Sequence, residues 1–301
     1  MKILITGHRG FVGRHLKSGV LEEYPHSKIF VSDTSRMNLL EPIDPSIINC
    51  PLDYIFHLAA WTKAGDFCLH HPGEQWINNQ KINTNMLCYW KEHQPQAKLI
   101  AFGTSCAYPP DKIKSEDNYF NGTPDKDLFT YAMTKRMLLT GMKALSKQYD
   151  MKFLYFIPNT LFGPSFDIDD SHFIFDLIKK ICSAKYEGKT PVTLWGSGNQ
   201  CRELIYIKDT INVVLDSLDK LENEVINLGT GSELSIKEYA KLICDYIEYN
   251  YEDIEFDATA FEGVKSKKLE ASPLVGACNH TSLANGLKET IDYYRNIKYG
   301  M

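Results

Sequence analysis

Lys2-Ile-Leu-Ile-Thr6-Gly7-His-Arg-Gly10-Phe-Val-Gly13 decides the fold. Lys2 to Thr6 reads as a short apolar strand, and from Phe11 to Leu21 the apolar positions Phe11, Val12, Leu16, Val20 and Leu21 follow a helical spacing. Between them lie three glycines spaced G-x-x-G-x-x-G, one residue longer than G-x-G-x-x-G. Strand, glycine turn and helix in that order give a dinucleotide fingerprint its physical sense. Glycine there turns the chain tightly, lets the backbone approach a pyrophosphate and packs helix on strand. Gly7, Gly10 and Gly13, with Arg9, Phe11 and Val12 among them, are therefore candidate dinucleotide contacts.

Working outward, Lys28 to Ser32, Leu52 to Ala60, Lys98 to Phe102, Lys152 to Ile157 and Val225 to Leu228 repeat the buried-strand signal, with helical or loop material between them. Pro158 ends the fifth strand at a sheet edge or mouth. Met133 to Tyr149, Phe173 to Ala184, Asp209 to Leu221, Ser235 to Tyr246 and Ser282 to Lys298 read as helices, and Thr190 to Trp195 as a short strand outside the main series. The pattern predicts an α/β fold: a six-stranded, doubly wound parallel sheet of the Rossmann type beside a smaller mixed C-terminal domain. The expected division is residues 1–164 and 203–232 for the dinucleotide domain, and 165–202 and 233–301 for a substrate domain.

Composition narrows the function. The 301 residues carry 33 basic and 38 acidic side chains, a formal charge of −5, with no lysine or arginine block, which argues against nucleic acid as a partner. No apolar run approaches the ~18–20 residues that span a bilayer. The N-terminus reaches glycine at position 7, too soon for a signal peptide, so a cytoplasmic location is expected. Eight cysteines, at 50, 68, 88, 106, 182, 201, 244 and 278, lie far apart without a C-x-x-C pair, and no H-E-x-x-H occurs. Most are expected to be reduced and buried, and no metal site is expected.

Tyr131-Ala-Met-Thr-Lys135 places a phenol and an ammonium one helical turn apart. A cation near a phenol favours phenolate and lowers its pKa, making it a usable proton donor or acceptor. After the second strand comes Val31-Ser-Asp33-Thr-Ser-Arg36. An Asp there accepts from the ribose 2′-OH of NAD and repels a 2′-phosphate, a charge that Arg9 and Arg36 offset.

With the glycine fingerprint and Y-x-x-x-K in place, the chain resembles the extended short-chain dehydrogenase/reductases that act on nucleotide sugars. Within them it is most similar to the GDP-L-fucose synthase group. The matching stretches are Gly7-His-Arg-Gly10, Ser105-Cys106-Ala-Tyr108-Pro109, Pro158-Asn-Thr-Leu-Phe-Gly-Pro164, Ser171-His172, Trp195-Gly-Ser-Gly198, Arg202-Glu203 and Asn227-Leu-Gly-Thr-Gly231. The resemblance implies NAD(P)H-dependent reduction at C-4 of a GDP-linked 4-keto-6-deoxy sugar. Tyr131 supplies the proton, Lys135 tunes it and holds the nicotinamide ribose, and Thr104 hydrogen-bonds the sugar carbonyl or the Tyr131 oxygen. It implies Cys106 and His172 as acid and base for epimerisation at C-3 and C-5. Leu58, Ala59, Ala60, Pro158, Asn159 and Leu161 are implied cofactor contacts. Asn159, His172, Lys180, Trp195, Arg202 and Lys268 are implied substrate contacts, and a homodimer formed through the helices at Thr84 to Gln94 and Met133 to Tyr149 is expected.

The chain departs from the family pattern in three places. Asp33 stands where the group carries arginines; NADPH is the expected cofactor, because a net reductase draws on a reducing pool, while Asp33 keeps NAD(H) open. Trp61-Thr-Lys-Ala-Gly65 replaces a valine-glycine-glycine segment, which leaves a hexose or a heptose possible. The tail beyond Leu269 matches poorly. The competing readings are a redox-neutral 4-epimerase or dehydratase, and a binding or regulatory protein on the same fold with an inert nucleotide.

Overall fold

The computed structural model describes residues 1–63, 67–259, 265–276 and 280–301. Gly65 of the altered segment and Cys278 lie outside them. In chain order the elements are β1 (Lys2–Thr6), α1 (Phe11–Glu23), β2 (Lys28–Val31), β3 (Tyr54–His57), α2 (Phe67–His70), α3 (Pro72–His93), β4 (Lys98–Phe102), α4 (Phe129–Tyr149), β5 (Phe153–Pro158) and β6 (Thr160–Phe162). They continue with α5 (Phe173–Glu187), β7 (Val192–Trp195), β8 (Cys201–Arg202), β9 (Leu204–Tyr206), α6 (Ile207–Ser217), β10 (Glu224–Leu228), β11 (Leu234–Ser235), α7 (Ile236–Ile247), β12 (Ile254–Asp257), α8 (Pro273–Gly276) and α9 (Leu283–Tyr299).

Two compact units form. The first holds Met1–Pro158 and Thr210–Leu228, the second Asn159–Asp209 and Gly229–Met301. These divisions differ from the expected ones, because β6 pairs in parallel with β9 in a small sheet of its own. That pairing takes residues 159–164 and 203–209 into the second unit, and residues 229–232 also fall there.

The first unit is built on a six-stranded parallel sheet of order β10-β5-β4-β3-β1-β2. Its inner strands are apolar on both faces, as a sheet covered on both sides requires: Ile3, Leu4, Ile5, Ile55, Phe56, Leu99, Ile100 and Leu154 are all fully buried. Strand order reverses between β1 and β3, where Thr6 is registered with His57. The carboxyl ends at such a switch point are where open α/β sheets take ligands. Pro158 closes β5, an interior strand, opposite Leu228, so it lies at the mouth and not at an edge.

The second unit pairs β6 with β9, β7 with β12 and β8 with β11. Its best-formed helix start is α7, where Ser235 and Glu238 cap each other reciprocally. The seven described cysteines are free thiols; of these only Cys68, Cys182 and Cys244 are buried, and Cys88 is exposed on α3. The expectation that most are buried is corrected accordingly. Among the described residues no helix is long and apolar enough to cross a membrane.

Candidate active site

In the first unit, Gly7 leaves β1 at φ +68, where a Cβ would stand 2.8 Å from the Ala59 nitrogen. At Gly13 a Cβ would stand 2.3 Å from the Gly7 carbonyl oxygen. Those two positions are glycine because the chain leaves no room. Gly10 differs: a Cβ would meet only the Gly7 oxygen, at 3.4 Å, an ordinary contact. The protein's own packing does not demand glycine there, whereas a diphosphate drawn against the backbone does. Gly10 also N-caps α1 with no side-chain cap, and the first turn holds no acidic residue, so the positive end of the helix favours an anion. His8 Nδ1 is buried without a hydrogen-bond partner among the described residues. Together these fit a dinucleotide. Phe11 packs edge-on against His15, with ring centres 5.2 Å apart.

Leu58 and Ala59 are held beside the glycine turn by the Thr6 hydroxyl, which accepts both backbone N–H groups at 3.1 Å. The same Oγ1 lies 3.0 Å from His57 Nδ1, while His57 Nε2 lies 3.2 Å from Asn83 Oδ1. Asn83 in turn donates to the Thr134 carbonyl on α4. Burial pushes His57 down to about 4, so this imidazole is a neutral strut between β1, α3 and α4.

Asp33 and Arg9 are brought together. One Asp33 oxygen accepts the Ser35 N–H at 3.0 Å and its hydroxyl at 2.9 Å, and the other takes Arg9 Nη2 at 2.6 Å. The Ser35 bonds foremost, then the Arg9 charge, hold the Asp33 carboxyl below its usual range. Arg36 is exposed, its N–H closing a turn on the Asp33 carbonyl at 2.9 Å.

After β4, Thr104 caps the 3-10 turn Ser105–Ala107 by accepting the Cys106 N–H at 3.2 Å. Arg136 on α4 fixes the far end of the turn, donating to the Ala107 carbonyl at 2.5 Å. The half-buried Cys106 thus sits in a backbone held on both sides. α4 begins at Phe129, a turn earlier than the expected Met133, so Tyr131 and Lys135 share one helix.

Tyr131 receives a hydrogen bond from the Thr104 side chain, and Lys135 Nζ lies 6.0 Å from the Tyr131 ring centre. The ammonium donates to the Phe102 carbonyl at 2.9 Å, and burial pushes it down to about 8. The expectation that Lys135 lowers the phenol's pKa is corrected here. Burial first, then the negative charge available at Cys106, Cys68 and Tyr119, raises Tyr131 above its ordinary value, and the Thr104 bond only partly opposes this. The phenol keeps its proton and is a donor.

In the second unit, Asn159 is buried and engaged internally: its amide donates to Glu203 Oε2 at 2.5 Å and to the Lys267 carbonyl, and its oxygen accepts the Thr160 N–H at 3.0 Å. Leu161 lies on β6 opposite Ile205. Glu203, fully buried, also accepts the N–H groups of Gly231 at 2.6 Å and Leu269 at 2.8 Å. The backbone on either side of the exposed Lys268 is therefore fixed, and Arg202 directly precedes the carboxylate that fixes it. Arg202 itself donates to the Cys201 carbonyl at 2.7 Å.

Lys180 and Trp195 are brought together: the ammonium lies 5.9 Å from the indole ring centre and 3.0 Å from Asp176. Trp195 is 65% exposed, an open aromatic face beside a cation. His172 occupies the N-cap of α5 without capping it; its Nδ1 lies 2.6 Å from Asp170 Oδ1 instead. Asp170, Glu203 and Arg136 were not singled out as site residues from sequence. Asp170 lies two residues from its partner with no periodic pattern to mark it, Arg136 donates to main-chain carbonyls, and Glu203 gathers main-chain N–H groups together with side chains far away in sequence, none of which leaves a trace in residue types.

Fold and site define a class: a Rossmann-type dinucleotide-binding protein with a Tyr-Lys pair on one helix and a polar threonine turn against it. More narrowly, the chain belongs to the NAD dependent epimerase/dehydratase family, whose model matches residues 3–229. It is 29% identical to the GDP-L-colitose synthase of Yersinia pseudotuberculosis over 99% of both chains. It is 26% identical to the GDP-L-fucose synthase of Escherichia coli over 97% of this chain and 96% of that one. Among solved structures, a GDP-L-fucose synthetase from Naegleria fowleri superposes with a TM-score of 0.82 at 24% identity, covering 100% of this chain and 94% of that one. A GDP-6-OMe-4-keto-L-xylo-heptose reductase from C. jejuni superposes with a TM-score of 0.85 at 18% identity, covering 99% and 98%. These superpositions speak to the fold.

Proposed function

We propose that this chain is an NADPH-dependent reductase of a GDP-linked 4-keto-6-deoxy sugar that also epimerises C-3 and C-5. The observation that carries the reading is the turn Thr104–Ala107 against α4. A protonated phenol, a hydroxyl bonded to it and a thiol share one rigid corner. The names of the relatives, a colitose synthase and a fucose synthase, support the substrate class.

NADPH, when bound at Gly7 to Gly13 and Leu58 to Ala60, supplies the hydride. The protein's own part is proton handling. Tyr131 gives its proton to the C-4 oxygen, Thr104 holds that oxygen, and the Lys135 ammonium, held on the Phe102 carbonyl, offers its charge to the nicotinamide ribose. For epimerisation, Cys106 and His172 take and return protons at carbons made acidic by the ketone. Arg202, Lys180 and Lys268 offer cations to the diphosphate, and Trp195 offers a stacking face to the base. Arg9 neutralises Asp33, which supports NADPH over NADH. The unpaired thiols of the seven described cysteines support a reducing compartment, the cytoplasm.

The reading is tested by incubating the protein with GDP-4-keto-6-deoxy-mannose and NADPH, then NADH, in deuterated water. Oxidation of NADPH with deuterium at C-3 and C-5 is expected. Oxidation without deuterium would reduce the activity to a C-4 reductase, and no oxidation with either hexose or heptose substrates would overturn the proposal. A homodimer is supported by apolar side chains left exposed on the packed pair α3 and α4, namely Trp76, Ile77, Phe129 and Met137. Sedimentation at working concentration is expected to give twice the chain's mass.

Lys135 sets a pH dependence. Its folded value, about 8, lies below the ordinary 10.5, so the buried ammonium opposes folding at neutral pH, and that cost is relieved between pH 8 and 10.5. Loss of the ammonium also removes a charge from the dinucleotide site. NADPH affinity is expected to weaken as pH rises from about 8, and this dependence is expected to vanish in Lys135→Met, as calorimetric titrations from pH 7 to 9 will read.

A further inference from the structure

His172 is 54% exposed at its side chain, yet its ring is held, because the carboxylate beside it is not exposed: Asp170 is 16% exposed. Asp170 Oδ1 lies 2.6 Å from His172 Nδ1 and accepts the His172 backbone N–H at 2.8 Å. Burial acts to raise the Asp170 carboxyl, but the hydrogen bonds and charge of His172, with the charge of Lys179, outweigh it and hold it below the usual range. An ionised carboxylate only accepts hydrogen bonds, so the nitrogen facing it, Nδ1, must carry a proton. Nε2 is then the nitrogen whose lone pair is available. The loop bearing the carboxylate is itself anchored. Lys179, two turns along α5, donates to the main-chain carbonyls of Ile168 at 3.0 Å and Asp170 at 2.5 Å.

We propose that Asp170 is a positioning residue for the epimerase chemistry, fixing His172 as the Nδ1–H tautomer with Nε2 as the working nitrogen. The inference rests on the acid/base role assigned to His172 above. In the forward step the C–H bond breaks, its electron pair passes into the enolate with charge on the C-4 oxygen, and the proton goes to Nε2. The imidazolium so formed keeps its Nδ1–H on Asp170, whose negative charge stabilises it. When His172 instead returns a proton, the same nitrogen gives it and the ring reverts to the neutral tautomer. Asp170 gains and loses no proton in either direction. Serine, at position 171 between them, is not needed for the geometry.

The test uses the full-length protein and three readings on Asp170→Asn and His172→Gln: deuterium washed into C-3 and C-5 of GDP-4-keto-6-deoxy-mannose, nitrogen-15 shifts of the His172 ring, and melting temperature. An amide is isosteric but can donate as well as accept, so it no longer dictates the tautomer. In Asp170→Asn the exchange rate is expected to fall at least tenfold, and the ring is expected to leave the Nδ1–H form, with melting unchanged. If His172→Gln abolishes exchange while Asp170→Asn keeps both the exchange rate and the tautomer, the positioning role is overturned alone. If His172→Gln leaves exchange intact, the acid/base reading falls and this inference falls with it.

Discussion

Tyr131→Phe is expected to lower the rate of sugar reduction by on the order of 10³-fold, the middle of the range for removal of a positioned proton donor. The substitution deletes one oxygen. That oxygen is held by the Thr104 side chain and raised in pKa first by burial, so at neutral pH it is present as O–H. A hydride added at C-4 leaves an alkoxide, which must be protonated as it forms; water can do this, but without the orientation that the helix confers. The ring of Phe fills the same space, so packing should survive, with a cost of about 1 kcal/mol for the lost hydrogen bond. NADPH affinity is expected to remain within a few-fold, because Lys135 and the glycine turn are untouched. Single-turnover oxidation of NADPH, with a separate binding titration, reads both quantities. Deuterium exchange at C-3 and C-5 is expected to survive better than reduction, since Cys106 and His172 remain. A variant that reduces the sugar as fast as the unaltered protein would force the catalytic reading to be abandoned.

The parts of this architecture that sequence made legible are those with a period or a spacing. β1, β4 and β5 are nearly continuous apolar runs because both faces are covered, and the glycine turn and Y-x-x-x-K carry their geometry in their numbering. α3 was legible only in its second half, Thr84 to Gln94, while the helix in fact starts at Pro72. The reason is chemical: its first half buries amides. Gln75, Asn79 and Asn83 point inward, and Asn79 both accepts the Trp61 N–H at 2.8 Å and donates to the Trp61 carbonyl at 3.0 Å. A polar buried face has no amphipathic signature. Cysteines were equally opaque. Cys182 and Cys244 lie in helix interiors, with thiols pushed up to about 12 by burial, while Cys106 lies half-exposed in a turn. Residue type alone does not separate an inert thiol from one at a site. The unit boundaries shifted because a three-residue strand, β6, found a partner at β9, and such short pairings carry too little pattern to read.

Glu203→Ala is expected to cost about 3–5 kcal/mol, because four buried donors lose their acceptor together and relax only in part. Glu203 has no exposed surface, and both carboxylate oxygens are used. Oε1 accepts the Gly231 N–H at 2.6 Å and the Thr230 hydroxyl at 3.2 Å, while Oε2 accepts Asn159 Nδ2 at 2.5 Å and the Leu269 N–H at 2.8 Å. Alanine strands these donors where water cannot readily reach them, each costing ~1–3 kcal/mol before the loops relax. Against a total stability of about 5–15 kcal/mol, the melting transition should fall by roughly 10 °C. Glu203→Gln separates charge from shape. Because each oxygen faces two donors, either orientation of the amide turns an NH2 towards a pair of N–H or O–H groups, so Gln should recover only part of the loss. The functional consequence runs through the same bonds. Leu269 and Lys267 flank Lys268, and Arg202 precedes Glu203, so releasing the carboxylate frees two of the cations proposed to hold the diphosphate. Affinity for GDP is therefore expected to weaken by at least tenfold at a temperature where the variant is still folded, while NADPH affinity changes less. Calorimetric melting and titrations with GDP and NADPH check both halves. A Gln variant as stable as the unaltered protein would show that the acceptors are not what Glu203 contributes.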